Sequence, residues 1–220
     1  MKKTIFILTA ILVATISFAQ MPEKFVKAME SNIAQMDSAK TAQDWIGITA
    51  AFERIGEAEK NQWLSYYYAA YGHVMIGYNS IGEFGKNDKL EQEADKAESL
   101  LEKAESLDKQ NSDILCIKNM IAGLRIIANP ASNGMKYGPI ADKYLATAKN
   151  IDPGNPRIYL LEGQSALYKP ADWGGGKDVA KDLLDQAIEK FNNFKPISSL
   201  HPNWGKKRTE ELINQLKSGG

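Results

Sequence analysis

From residue 23 onward, apolar positions return every three or four residues, and each run is cut off by Pro, Gly, Asn or Asp. That period and that punctuation belong to amphipathic helices. The spacing predicts helices over 23–39, 42–58, 62–78, 88–107, 112–128, 138–150, 156–168, 177–191 and 204–216. No run alternates with the period of two that a half-buried strand requires. The chain therefore reads as all-α, a single domain over 20–220.

Three of the helices carry one packing register. Ala97, Leu101 and Ala104 recur as Ala141, Leu145 and Ala148 and again as Ala180, Leu184 and Ala187. Positions so spaced share a helix face; the two alanines admit a close neighbour and the leucine fills the space between them. The helices before them mix small residues into an aromatic face, with Tyr68, Tyr71 and Gly72 in one and Tyr159, Gly163 and Ala166 in another. Antiparallel pairs are expected over 62–107, 112–150 and 155–193, with a capping helix over 203–217. The registers lie 44 and 39 residues apart, against about 34 for an unadorned tetratricopeptide unit. The excess is assigned to loops at 129–137 and 169–176, both rich in Pro, Gly and Asn. The turn before the 156–168 helix is sharper: Pro153 and Gly154 stop one helix, Asn155 caps the next and Pro156 suits its first turn. Ser112 or Asp113 is expected to start the helix at 112.

On these registers the chain resembles the tetratricopeptide-repeat superfamily from about Trp45 onward. The resemblance implies a TPR-like α-α superhelix whose first helices line a concave side. The tail Leu200-His201-Pro202-Asn203-Trp204-Gly205 and the segment Trp63-Leu64-Ser65-Tyr66-Tyr67-Tyr68 look like exported repeat proteins of Bacteroidetes. Trp173-Gly174-Gly175-Gly176-Lys177 is more loosely similar to the periplasmic helical accessory subunit of TRAP transporters. The long loops, and the absence of proline at Lys109 and Asn192, depart from the strict repeat.

The first twenty residues change the compartment. Lys2 and Lys3 precede an apolar stretch from Ile5 to Ile16, and Ser17-Phe18-Ala19 forms a cleavage signature, so residues 1–19 read as an export signal. The stretch is shorter than the roughly 20 residues of a spanning helix. The sole cysteine, Cys116, is too far downstream for a lipid anchor. A soluble periplasmic or secreted protein is expected, with no membrane insertion after cleavage. Loss of Lys2 and Lys3 from the 27 basic residues leaves 25 against 27 acidic, a net of −2. That balance offers no footprint for nucleic acid. One cysteine permits no internal disulfide, so core burial must hold the fold.

Candidate chemistry is sparse. Gly174-Gly175-Gly176-Lys177 lacks the spacing of a phosphate loop, with Ala171 where a glycine is required and Asp178 where Ser or Thr is required. The glycines instead read as a tight turn, with Trp173 covering the edge of the core. His73, His201 and Cys116 fall at no metal-ligand spacing. His73 reads as a hydrogen-bonded helix residue and Cys116 as a small buried one. Glu98, Glu102 and Lys103 read as a solvated helix face. No catalytic residue, cofactor or metal is expected.

The feature above background is the aromatic concentration of Trp63, Tyr66, Tyr67, Tyr68, Tyr71 and Tyr78. Because Tyr66 and Tyr68 project away from the 63, 67, 71 and 78 stripe, some of these rings are expected to line a groove. The concave-face candidates are Tyr66, Tyr67, Asn119, Tyr159 and Gln164. The function expected is an exported binding or scaffold protein holding another protein or a peptide. The alternative is a solute-binding or transporter-accessory role, ahead of an enzyme.

Overall fold

Side chains of Thr and Asn set where four of the helices begin. In a computed structural model that describes residues 21–82 and 88–218, Thr41 and Asp44 form a reciprocal capping box. Asn111, Asn129 and Asn155 each accept backbone N–H bonds at the next starts. Such caps satisfy donors that a helix cannot pair internally. Asn155 thus caps as the sequence implies, while the helix at 112 is started by Asn111 rather than Ser112 or Asp113. The elements are α1 (Glu23–Met36), α2 (Ala42–Ala58), α3 (Trp63–Asn79), α4 (Asp88–Leu107), α5 (Ser112–Ala128), α6 (Pro130–Ile151), α7 (Pro156–Tyr168), a 3-10 turn (Ala171–Trp173), α8 (Lys177–Asn193) and α9 (Lys206–Ser218). Among the described residues there is no strand, and the fold class is all-α. No helix among them is long and apolar enough to cross a membrane. The expected export signal lies outside the described residues.

One element departs from the sequence reading. The loop expected at 129–137 is helical from Pro130, because Asn129 caps Ser132 N–H at 3.3 Å and proline is tolerated where a helix has no use for its first N–H groups. The 169–176 connection stays irregular. Gly174 and Gly176 there take φ of +78° and +114°, which only glycine adopts freely. Trp173 does not cover the core; it is 72% exposed.

Packing follows chain order. The closest pairings are α5 with α6, α3 with α4, α2 with α3, and α7 with α8, while α3 touches α5 and α5 touches α7. All nine alanine and leucine register positions are buried. Gly163 shows why a small residue precedes them: a Cβ there would sit 2.9 Å from Leu184, so α7 approaches α8 more closely than alanine allows. Helix α3 is buried on nearly every side, and its surroundings decide the fate of the aromatic cluster.

Candidate functional site

Each expected groove tyrosine of α3 has its own neighbour. Tyr66 donates to Gly56 O of α2 at 2.8 Å. Tyr68 stacks on Phe52 of α2 and donates to Leu200 O at 3.0 Å. Tyr67 accepts from Trp204 Nε1 at 2.8 Å, and Tyr71 stacks on the Trp204 ring at 4.8 Å. The chain's own segment 194–205 therefore covers this face of α3. Beside it, Arg157 of α7 is 1% exposed, donates from Nε to Asp113 at 2.7 Å, and lies 4.7 Å from the Phe194 ring and 5.7 Å from that of Trp204. Burial pushes the phenols of Tyr67, Tyr68 and Tyr71 up, out of reach of ionisation near neutrality. The expectation that Tyr66 and Tyr67 line an open groove is corrected: α2, α4 and the tail surround α3, so rings projecting in different directions are all buried.

The other three candidates lie apart. Asn119 of α5 donates to Ala141 O of α6 at 3.0 Å. Tyr159 of α7 is buried, donates to Pro153 O at 3.1 Å, and has Lys149 and Lys190 over its ring at 4.4 and 4.6 Å. Gln164 is half-buried on α7. Cys116 is buried, and burial pushes its thiol well above the ordinary range. His73 bridges Glu93 of α4 at 2.6 Å and Glu53 of α2 at 2.7 Å, the hydrogen-bonded helix residue the sequence implies.

An open concavity lies elsewhere, where α4 and α6 part over α5. This cleft of about 330 Å³ contains none of the five candidates. Leu101 of α4, Ile121 and Ala122 of α5 and Ile140 of α6 supply its apolar lining, and α6 adds Tyr137 and Tyr144. Glu98, Glu102 and Glu105 line the α4 side, facing Lys118 and Arg125 of α5. Arg125 donates to Glu91 and Asp95 at 2.8 Å each and to Glu98 at 2.6 Å. Burial works against its charge, but Asp95, Glu98 and Glu91 outweigh it and hold the guanidinium above its ordinary pKa. The Tyr137 ring lies 5.6 Å from it. Lys118 pairs with Glu105 at 2.6 Å and lies 5.7 Å from the Tyr144 ring. The sequence did carry a signal for this wall, since Tyr137, Ile140 and Tyr144 follow helical spacing. It was hidden because residues 129–137 read as a loop and Glu98 and Glu102 as solvent face.

The cleft sets charged side chains around a small apolar floor, residue types that ligand pockets combine. No family model matches the chain, and no curated protein does. Among solved structures it is similar to the HusA haemophore from Porphyromonas gingivalis, with 31% identity and a TM-score of 0.77 over 89% of this chain and 94% of that one. The chain belongs to the same family as that haemophore.

Proposed function

We propose that this protein binds haem in the α4/α5/α6 cleft, as an exported carrier. The observation that carries the reading is likeness to a haemophore over nearly the full length of both chains. The cleft's chemistry supports it. Haem is a flat apolar ring with two carboxylates at one edge. Ile140, Tyr137 and Tyr144 of α6 would lie against the ring, above a floor of Leu101, Ile121 and Ala122 that is itself buried. The carboxylates would compete with Glu105 for Lys118 and with Glu98 for Arg125, the bases these glutamates already pair. Phenol oxygen is a known ligand for haem iron, and both cleft tyrosines offer one. At about 330 Å³ the cleft stands at the small end of ligand pockets, roughly 300–1,000 Å³. Part of the ring would therefore face solvent, which suits a carrier that must release its cargo. A TPR-like course of the helix pairs, cleavage of the leader and delivery to the periplasm or beyond belong to the same reading.

Titration of the mature protein with haem, followed by the Soret band, tests this. Ile121→Trp, which adds bulk at the buried floor, should weaken binding by at least about tenfold, a loss of about 1.4 kcal/mol, with the helical circular dichroism unchanged. Tyr159→Phe, outside the cleft, should not. Equal haem affinity in the Ile121→Trp and unmodified proteins would refute the site.

A partner protein is a second reading, favoured by two aromatic side chains near the 169–176 connection. Tyr168 is 78% and Trp173 72% exposed, and aromatic residues anchor many interfaces. A photo-crosslinker at position 173 on producing cells should then trap an envelope protein; an uncrosslinked chain would end that reading.

A further inference from the structure

The first half of α6 is built unlike the rest of the core. Over 130–140 it contains Gly134, Gly138 and Pro139, the residue types that most oppose a helix interior. It buries no side chain; burial in α6 begins at Ala141. Packing does not demand the glycines, since a Cβ at Gly134 or Gly138 would meet nothing within 4 Å. Neither glycine has positive φ. Pro139 has no N–H to give the carbonyl of Met135, so one rung of the helix is missing just where the buried part begins.

The segment is held to the body by polar contacts. Asn133 Nδ2 donates to Glu91 Oε1 at 2.8 Å and to Arg125 O at 2.7 Å, and the Tyr137 ring rests near the Arg125 guanidinium. Water can replace hydrogen bonds at a surface with little net change. The same segment carries Tyr137, and Ile140 follows the missing rung; both belong to the cleft lining.

We propose that residues 130–138 are a hinged flap over the cleft, turning at Gly138 and Pro139, with Asn133 as its latch. The proposal rests on the reading of the cleft as the haem site. Opening widens the passage for a flat ring, and closing lays Tyr137 against it. The two glycines lower the cost of bending, and Asn129, the single residue between α5 and α6, is the pivot at the outer end.

Hydrogen exchange of the mature chain, without and with haem, tests the flap. Amides over 130–140 should exchange at least about tenfold faster than those over 141–151 without haem, and slow severalfold once haem is bound. Exchange over 130–140 as slow as over 141–151 in the free protein overturns the flap. So does exchange unchanged by haem when Ile121→Trp abolishes binding, because haem is then in the cleft and only the flap has failed. Haem binding that survives Ile121→Trp instead removes the site and the flap together. In stopped-flow, Asn133→Ala should speed haem dissociation severalfold and the Gly134→Ala, Gly138→Ala double variant should slow association. Unchanged rates in both variants overturn the proposal.

Discussion

The tail-covered face of α3 and the cleft between α4 and α6 both combine aromatic rings with an arginine and carboxylates, yet one is closed and the other open. On the first, Arg157 has Asp113 for its charge, and Phe194 and Trp204 lie over it. On the second, Arg125 meets three carboxylates, two of which, Asp95 and Glu98, are more than half exposed. The closed face is completed by residues distant in sequence: Tyr68 bonds Leu200, 132 positions away. The open one is framed by three consecutive helices, and among the described residues no later segment contributes to its lining. Residue type does not distinguish a core from a site here; what arrives to cover it does.

The largest effect should come from unpairing the closed face. Asp113→Ala leaves Arg157 buried without its counter-charge and should cost about 3–5 kcal/mol in denaturant unfolding. Adding Arg157→Met should recover much of that. A neutral Asp113→Ala would mean that the ion pair is not what secures this face.

Within α6 the comparison can be made on one helix. Leu145 is 3% exposed and Ile140 36%, so Leu145→Ala should cost about 2–5 kcal/mol and Ile140→Ala under about 1 kcal/mol. Equal costs would show that the cleft wall is as firmly packed as the core below it.

His73 of α3 holds Glu93 of α4, the helix whose Glu98, Glu102 and Glu105 wall the cleft. Both of its ring nitrogens face carboxylates, and only imidazolium can donate from both. Burial acts to lower its pKa, but Glu93 and Glu53 outweigh burial and raise it above the usual 6.5. Burial likewise acts to raise the Glu93 carboxyl, and His73 and Lys96 outweigh it and hold that pKa low. The histidine's contribution is therefore full below about pH 6.5 and is lost as pH rises through its raised pKa. The glutamate's is present above its ordinary value and is lost as pH falls through the lowered one. His73→Gln should cost about 2 kcal/mol near pH 6, and its melting-temperature deficit should narrow toward pH 9. A deficit independent of pH would show that His73 is neutral in the folded protein.

The smallest stability change is expected at Glu102, an exposed cleft carboxylate. Glu102→Gln should alter stability by no more than about 0.5 kcal/mol while tightening haem severalfold, because one repulsion on the carboxylates is gone. Weaker binding would place the carboxylates elsewhere.

Much of the frame was legible beforehand, and the failures are instructive. The alanine and leucine registers are local, three and four residues apart, and all nine positions are buried. The α6 start was missed because Pro, Gly and Asn punctuate loops far more often than they begin helices. The aromatic stripe was read as a groove because the sequence lists projections around α3 but not the neighbours waiting for each. The cleft was invisible because its carboxylates look like any solvated helix face until two helices part over a third.

Helical period, capping asparagines and small-residue registers are short-range properties, and the sequence by itself determined them: all-helical class, element order and the faces that pack. Which aromatic face would be closed and which concavity left open depends on contacts between residues more than a hundred positions apart, as between Tyr67 and Trp204. Only the tertiary structure decided that, because burial belongs to the assembled neighbours of a residue and not to the residue.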